Sequence, residues 1–484
     1  MFPAARPCRF FATKGDDPVD SLGRPSYLRA FDDFLYKPTY FFLCGGLTVL
    51  ANVCGAELFT YTCFVLIALY LFLFGRDLLP IMPLVICSYI APSRENNPGL
   101  SGDSLFSSAN GGIYLVFLAV LLIIGLLYRL LRDKTLGRMA FLKCKRMLLP
   151  GMLALGLAYL LSGIGSAQLG KVVWQNLLFA FIQAASVIVL YILLTGSVKW
   201  DQAPTGYLAW TGMCVGYVLL AELVFIYFRY HVIQNGVIER ALIYSGWGHY
   251  NNIGALLAMM IPFPFFLTGK GKHTGIFYFS GLLFLGGVLF TCSRGSILCG
   301  VVTYLASYTV SLLHSRHARA NAAIHIFTAL AILVIFLLFS EDLLRLFRTL
   351  IAHRLDPAGR DKGYFAGWQQ FLKHPVFGGT FYPIEYPLFS WSTSEAFVSF
   401  FPPRWHNTVI QILASCGIVG FAAYSFHRLQ TLYLFFHRFQ GKKTFALISM
   451  LTLLVTSMVD CHFFNVGPVL FYSMMLAFVE KRLD

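Results

Sequence analysis

Residues 112–128 read GIYLVFLAVLLIIGLLY, a hydrophobic run without a single charged side chain. A helix that crosses the hydrocarbon core of a bilayer needs roughly 17–25 such residues. Similar runs recur from Tyr40 to the C-terminus of the 484-residue chain. The sequence therefore predicts an all-α fold of the polytopic helical membrane class.

The composition of the whole chain agrees with this class. Hydrophobic residues make up 57% of the sequence and charged residues 12%, about half of the ~25% that is typical of soluble domains. Together with a mean hydropathy of +0.68, this excludes a soluble enzyme. The eleven cysteines include no Cys-x-x-Cys pair, so neither a disulfide framework nor a zinc site is supported.

Hydrophobic runs and the breaks between them predict about 14 transmembrane helices. Their ranges are 40–54, 58–74, 78–91, 112–128, 147–165, 173–196, 207–228, 251–268, 274–291, 295–313, 320–340, 406–424, 444–459 and 464–480. The predicted organisation is an N-terminal tail over 1–38, transmembrane helices 1–11 within 39–340, one large loop over 341–405, and transmembrane helices 12–14 within 406–484.

The distribution of positive charge predicts the topology. The net charge is +15, from 37 Lys and Arg against 22 Asp and Glu. Most of the basic residues fall in the tail and in alternate short connectors, which the positive-inside rule assigns to the cytoplasm. This places both termini inside and the large loop outside, so the charge excess implies no nucleic acid partner.

The end of the large loop carries the first candidate functional residue. It reads Pro402-Pro403-Arg404-Trp405-His406-Asn407, and because prolines are excluded from helix interiors, the next span should begin at about Arg404 to His406. The positive end of the helix dipole biases His406 toward the neutral form, which suits a general base. On position alone, a histidine held by local hydrogen bonds is the favoured alternative.

A second candidate is the break Thr291-Cys292-Ser293-Arg294-Gly295-Ser296, on the same predicted face. Ser293 is a candidate N-cap, and the dipole opposes Arg294 in the first turn unless an anion is bound. A helix N-terminus with an arginine is an anion-binding arrangement. The alternative, a snorkelling arginine that marks the interface, is equally consistent with the sequence.

Other polar residues fall on or near this face. Arg240 lies in an outer connector that continues to His249 and Asn251, which either line a polar cavity or begin a helix. Glu222 and Asp460 are carboxylates within or at the edge of spans; such residues are functional suspects, although contacts between helices explain them equally.

The chain contains no P-loop, no His-Glu-x-x-His and no Asp-x-Asp pair on the outer face. Nucleotide hydrolysis and divalent-metal catalysis therefore have no support, and we predict neither a metal site nor a cofactor. Arginine matches phosphate oxygens with a permanently charged, bidentate fork. Arg294, Arg360 and Arg240 together could bind a diphosphate without a metal.

The order of these motifs resembles the O-antigen ligase superfamily, which includes lipid-linked polysaccharide polymerases and protein O-oligosaccharyltransferases. The resemblance covers roughly residues 240–430. It is carried by Ser293-Arg294-Gly295, Gly359-Arg360, Trp368, Pro375-x-Phe377-Gly378-Gly379, His406-Asn407-x-x-x-Gln411 and Gly417-x-x-Gly420. This sequence has Ala414-Ser415-Cys416 before Gly417, where many relatives carry a glutamate.

The resemblance implies a GT-C-like glycosyltransferase of a bacterial cytoplasmic membrane that works on the extracytoplasmic side. It implies an undecaprenyl-diphosphate-linked glycan as donor, a glycan, lipid or protein hydroxyl as acceptor, and inversion without a metal. His406 would be the catalytic base, and Arg294 and Arg360, with Arg240, would bind the diphosphate. Asn407, Ser293 and Trp368 would support them.

Two other functions remain open. A transporter or flippase of lipid-linked saccharide usually shows internal repeats and polar groups at depth, and no repeat is evident. A peptidoglycan-type glycan polymerase would need an acidic residue in the outer loop, where Asp356, Asp361, Glu385 and Glu395 are available.

Overall fold

The computed structural model describes most of the chain. The described residues are 25–88, 109–133, 146–167, 169–200, 202–234, 237–245, 247–268, 274–314, 318–338, 360–382, 404–437 and 443–481. Most of the predicted tail and much of the large loop lie outside these ranges. So do Asp356, Gly359, Glu385 and Glu395.

Helices make up nearly all of the described structure. They are α1 (Ser26–Leu35), α2 (Pro38–Cys54), α3 (Glu57–Leu73), α4 (Ile81–Cys87), α5 (Ala109–Arg132), α6 (Leu149–Leu160), α7 (Leu169–Ser197), α8 (Tyr207–Arg229), α9 (Tyr250–Met260), α10 (Pro262–Thr268), α11 (Thr274–Phe290), α12 (Arg294–His314), α13 (Ala318–Leu338), α14 (Arg360–Lys373), α15 (Thr408–His437), α16 (Lys443–Thr456) and α17 (Val466–Lys481). Short 3-10 helices occupy Arg240–Leu242 and His462–Phe464.

Two small antiparallel hairpins stand between α8 and α9. The first pairs β1 (Ile233–Gln234) with β2 (Val237–Ile238), and the second pairs β3 (Tyr244–Ser245) with β4 (Gly248–His249). The second hairpin leads directly into α9. It therefore fixes where that helix begins.

A helix lies in each predicted span range. Among the described residues, six helices are long and apolar enough to cross a membrane, or seven if α1 and α2, bent by 71°, form one broken span. The fold class of an all-α polytopic membrane protein agrees with this. The predicted range 78–91 contains only the seven-residue α4, which begins after Pro80 and contains Pro83.

The predicted N-terminal tail over 1–38 contains a packed helix, α1, which the hydrophobic runs did not predict. In α1, Leu35 is buried and its carbonyl accepts a hydrogen bond from Tyr207 Oη at 2.9 Å. Asp32 Oδ1 accepts one from Tyr70 Oη at 3.0 Å. The hydrophobic runs do not predict α1, because its apolar residues are spaced along one face of the helix and form no continuous run.

The helix α9 lies at the centre of the bundle and positions the candidate site. The hydrophobic window of Tyr250–Thr268 is entirely buried, and α9 packs against α8, α11, α12 and α16. At Gly254 a Cβ would lie 2.7 Å from Thr291 Oγ1 and 2.8 Å from Ser296 Cβ. The glycine thus allows α9 and α12 to approach closely near their N-terminal ends.

The helix α15 begins at Thr408, slightly later than predicted, and continues to His437 instead of ending near residue 424. It is interrupted at Gly417, whose φ of 64° and ψ of −159° are not helical. The turn after α14 forms backbone hydrogen bonds with the residues on either side of this break. Ile418 N donates to Pro375 O at 2.8 Å, and Gly379 N donates to Ala414 O at 2.8 Å. Part of the large loop is therefore joined to a membrane helix by backbone hydrogen bonds.

We expect Gly417→Ala to destabilise the protein, because alanine is strained at positive φ and its Cβ would lie 2.3 Å from Val376 O. The backbone strain alone should cost about 1–3 kcal/mol. Thermal denaturation in detergent measures the loss. Gly46→Ala is the matched control, since Gly46 lies in α2 with no atom within 4 Å of an added Cβ. Equal melting temperatures of the two variants would contradict the expectation.

Candidate functional site

A polar cavity lies where the ends of α9, α12 and α14 meet the turn between α16 and α17. Its volume is about 100 Å³. Its lining includes Arg240, Arg294 and Arg360 from three separate parts of the chain, together with Asp460 and His462. The three arginines predicted from sequence are thus brought together by the fold.

Each of these arginines is held by a different element. Arg240 stands in a 3-10 helix whose N-cap, Glu239, accepts from Ala241 N at 3.4 Å. Its Cζ lies 5.3 Å from the centre of the Tyr250 ring, a distance at which a cation is attracted to the ring face. Arg294 is the first residue of α12, and Arg360 is the first described residue of α14.

The N-terminus of α12 is fixed by a small network of polar side chains. Ser293 precedes the helix, and its Oγ lies 2.8 Å from Asn251 Oδ1 and 2.9 Å from Ser296 Oγ. Ser293 therefore sits at the predicted N-cap position and connects α12 to α9. The backbone N–H groups of a helix start and a guanidinium then face one cavity, which favours anions.

Asp460 is the acidic residue of the cavity lining among the described residues. Its side chain is 3% exposed. The carboxylate accepts from Cys461 N at 2.7 Å through Oδ1 and from Asn251 Nδ2 at 3.3 Å through Oδ2. Burial acts to raise the pKa of this carboxyl, but the contact with His406 and the neighbouring histidines outweigh burial and hold the pKa well below its usual range. Asp460 is therefore an anion at neutral pH.

His406 is not itself part of the cavity lining, and it approaches this carboxylate from the segment just before α15. Its Nδ1 lies 3.4 Å from Asp460 Oδ1, and its side chain is 37% exposed. The geometry does not form a hydrogen bond between the two groups, so the carboxylate acts on the imidazole through its charge. A proton on Nδ1 would leave Nε2 as the acceptor, the arrangement of a general base. This carboxylate is a second group, beside the helix terminus, that only the fold brings to His406.

The backbone around His406 is held on several sides. His406 has a φ of 53°, and its carbonyl accepts from Tyr364 Oη of α14 at 3.3 Å. Asn407 is the N-cap of α15: its Oδ1 accepts from Val409 N at 2.9 Å, while its Nδ2 donates to Met458 O at 3.0 Å. Asn407 therefore connects the start of α15 to the turn that carries Asp460.

Two further histidines lie near Asp460. His462 is buried in the 3-10 helix that follows, and burial lowers the pKa of its imidazole to about 4. His249 is the N-cap of α9, where its Nδ1 accepts from Asn251 N at 3.2 Å. Burial also lowers the pKa of His249. Both imidazoles are therefore neutral at pH 7 and can donate or accept hydrogen bonds without adding charge.

Two other residues singled out from the sequence, Trp368 and Glu222, lie outside the cavity lining. Trp368 is 45% exposed on α14 and is not part of the cavity lining. Glu222 is buried elsewhere, where its Oε1 accepts from Asn52 Nδ2 at 2.6 Å and from Trp247 Nε1 at 3.3 Å. His462 and the proximity of Asp460 to His406 were not predicted from the sequence. The available signal was Asp460-Cys461-His462 in a short connector between two apolar spans.

The cavity is suited to a polyanion. Three guanidiniums and a helix start offer many N–H donors, whereas one carboxylate opposes them. Within the described part of the chain, no group of three His, Cys, Asp or Glu side chains is placed to hold a metal ion. The pairing of Asp460 with His406 supplies an acceptor for a proton beside this anion site.

The architecture and this cavity define a multi-pass helical membrane protein with a cavity lined by three arginines. Residues 279–425 match the family model described as O-Antigen ligase. This match confirms the resemblance to the O-antigen ligase superfamily that the motifs indicated. The matched segment contains Arg294, Arg360 and His406, while Arg240 and Asp460 lie on either side of it. No curated protein shows a significant match.

Under the transferase function proposed below, Asp460→Asn is expected to lower turnover by about 10²–10⁴-fold, by analogy with the aspartate that orients the histidine of a serine protease. The amide can present N–H instead of a negative charge to His406 Nδ1 and so favours the wrong tautomer. A transfer assay on the purified variant measures the effect. Asp361→Asn, on the exposed side of α14, is the control. Wild-type turnover of Asp460→Asn would contradict the assigned pairing.

The neutral state of His462 predicts a dependence of stability on pH. An unfolded histidine has a pKa of ~6.5, above the folded value of about 4, so the unfolded state binds more protons between these values. Stability should therefore fall by roughly 3 kcal/mol as the pH drops from 7 to 4. Thermal denaturation of wild type and His462→Gln at both pH values tests this. An equally large loss in the variant would contradict it.

Proposed function

We propose that this protein is a membrane glycosyltransferase that transfers or polymerises an oligosaccharide from an undecaprenyl-diphosphate-linked donor onto an acceptor hydroxyl. The observation that carries the proposal is the meeting of Arg240, Arg294 and Arg360 in one cavity beside Asp460 and His406. The family match over residues 279–425 supports it.

The donor would bind through its diphosphate. Arg294 and the α12 start would contact phosphate oxygens from one side, and Arg360 and Arg240 from the others. Bidentate guanidinium contacts fix the orientation of a phosphate as well as neutralising it. The glycan would then project toward His406, and the polyprenyl chain toward the bilayer.

The reaction would be a single displacement at the anomeric carbon. His406 Nε2 removes the proton of the acceptor hydroxyl, whose oxygen forms a bond to the anomeric carbon from the face opposite the diphosphate. The bond between that carbon and the phosphate oxygen breaks, and lipid diphosphate leaves with an added negative charge. The result is inversion, and the arginines stabilise the charge as it develops.

Asp460 would act through His406. Its negative charge stabilises the imidazolium that forms when His406 takes the proton, and its position keeps Nε2 directed at the acceptor. Because Asp460 is engaged by Asn251 and Cys461 as well, it is available as a fixed orienting group. We propose that no metal ion takes part.

The proposed setting is the cytoplasmic membrane of a bacterium, with about 14 transmembrane helices in a GT-C-like arrangement and both termini in the cytoplasm. The positive-inside rule supports this topology. It assigns the segments that carry Arg240, Arg294, Arg360, His406 and Asp460 to the extracytoplasmic side. The clustering of those five residues is consistent with one common side.

The proposal is tested with purified protein in liposomes that contain a glycan on undecaprenyl diphosphate and a candidate acceptor. We expect a new glycosidic bond, release of undecaprenyl diphosphate and undiminished activity in EDTA. Movement of the intact donor across the bilayer, without any bond formed, would instead support a flippase. Loss of activity in EDTA would contradict the metal-independent mechanism.

A further inference from the structure

The helix α14 has two different faces, and the inner one packs on α15. At Gly367 a Cβ would lie 2.7 Å from Ile410 Cγ2 and 3.1 Å from the Trp405 ring. Gln370 Nε2 donates to Ala414 O at 2.9 Å. Gly363 and Ala366 are also buried on this side. The inner face is therefore fully used by contacts within the protein.

The outer face of α14 carries large apolar side chains. Phe365, Trp368 and Leu372 are 66%, 45% and 53% exposed, and Val376 in the following turn is 51% exposed. The three helical residues recur at i, i+3 and i+7 and so form one line along the helix. We call these four residues the outer stripe. An apolar line of this kind on an otherwise polar loop helix marks an interaction surface.

The outer stripe is continuous with the exposed apolar surface of α15. Val376 O accepts from Val419 N at 3.2 Å, and the neighbouring Ile418 is 50% exposed. Further along α15, Phe426, Leu429 and Phe436 are 45%, 64% and 82% exposed. These side chains lie on a helix that is apolar and long enough to cross a membrane.

The break at Gly417 indicates the depth of this junction. The part of α15 after the break, residues 418–437, has roughly the 20 residues that span a hydrocarbon core about 30 Å thick. The break then lies at the edge of the core. Since the turn after α14 is hydrogen-bonded into the break, the C-terminal end of α14 lies at that edge.

We propose that α14 is an interfacial helix whose outer stripe rests in the headgroup and acyl-chain boundary of the leaflet on the side of the cavity. The occupant of the surface is the lipid bilayer. Tryptophan prefers this boundary, and an amphipathic helix binds it through its apolar face. Lys362 and Lys373 flank the stripe and can reach lipid phosphates from its ends.

The interfacial placement of α14 does not depend on the proposed function. Its consequence for the position of Arg360 does rest on that function. Arg360 begins the same helix that bears the outer stripe. A helix seated on the headgroups would hold this guanidinium at the level where the diphosphate of a lipid-linked donor is found. The bilayer would then help to place Arg360 at the cavity.

The test uses full-length protein labelled with 5-fluorotryptophan in nanodiscs of phosphatidylethanolamine and phosphatidylglycerol. The ¹⁹F resonance of Trp368 is identified by its loss in Trp368→Phe. We expect a 5-doxyl-labelled phospholipid to broaden this resonance at least severalfold, and a water-soluble gadolinium chelate to leave it nearly unchanged. Trp405, which is 0% exposed and packs against Gly367, is the internal reference and should be broadened less than Trp368 by either reagent.

Other outcomes would overturn the proposal. Broadening by gadolinium alone would mean that the outer stripe faces water. Broadening by neither reagent would mean that protein covers it, either residues 383–403 of this chain or a second copy. Phe365→Asp with Leu372→Asp should weaken the doxyl effect on Trp368, while Asp361→Asn, on the same helix, should not. The broadening of the Trp368 resonance is measured independently of glycan transfer. A protein without transfer activity would contradict the proposed function and not the placement of α14.

Discussion

His406→Ala is expected to abolish most glycan transfer, with a loss of about 10²–10⁴-fold in turnover, because the acceptor hydroxyl loses its base. His406→Asn is the sharper variant. His406 has a φ of 53°, and asparagine tolerates that conformation better than alanine. The asparagine variant should therefore keep the backbone at the start of α15 and still be inactive. The measurement is the rate of transfer by purified protein at saturating donor.

A second histidine provides the control for this prediction. His374 follows the C-terminus of α14, the end opposite Arg360 and the cavity, so His374→Ala should keep wild-type turnover. Both His406 variants should melt within a few degrees of wild type. Full activity of His406→Asn in folded protein would remove His406 as the base, and the proposed mechanism with it.

Arg360→Ala and Arg294→Ala are each expected to lower turnover by about 10²–10³-fold, equivalent to ~3–4 kcal/mol of lost stabilisation of the leaving diphosphate. Lysine at either position should retain part of the activity, because it keeps the charge but loses the bidentate fork. The measurement separates kcat from KM for the lipid-linked donor. A contact that strengthens with the developing charge should affect kcat more than KM.

The matched control is Arg319→Ala, because Arg319 is an exposed arginine on α13, outside the cavity lining. It should leave both kinetic constants unchanged. If Arg294 and Arg360 hold the same diphosphate, the double variant should lose less than the sum of the two single losses. Strictly additive losses would indicate that the two arginines bind separate groups.

The sequence predicted the helices well where hydrophobic length decides the structure. Each predicted span contains a helix, since uninterrupted apolar runs leave few alternatives in a membrane protein. The sequence did not predict three features that depend on something other than the length of a hydrophobic run. The helix α1 is amphipathic, the prolines around Ile81 shorten α4, and the course of α15 depends on a contact between Gly417 and the distant turn at Pro375.

The candidate site was predictable in part for the same reason. Arg240, Arg294 and Arg360 carry their own chemical signal, so residue type and predicted side of the membrane were enough to group them. The role of Asp460 could not be predicted in the same way, because its partner His406 lies before α15, far from Asp460 in the sequence. Trp368 has an apolar body and a polar edge. The sequence alone could not distinguish a place inside the cavity from one on the outer face of α14.

The imbalance of charge in the cavity has a consequence for the end of the catalytic cycle. Under the proposed chemistry, the spent carrier leaves with more negative charge than the donor brought. Among the described lining residues, Asp460 alone repels it, against three guanidiniums. Dissociation of the carrier would then be the rate-limiting step of successive turnovers. Accumulated carrier would compete with the donor for the cavity. An enzyme that removes the terminal phosphate of the carrier would relieve that inhibition and sustain the flux.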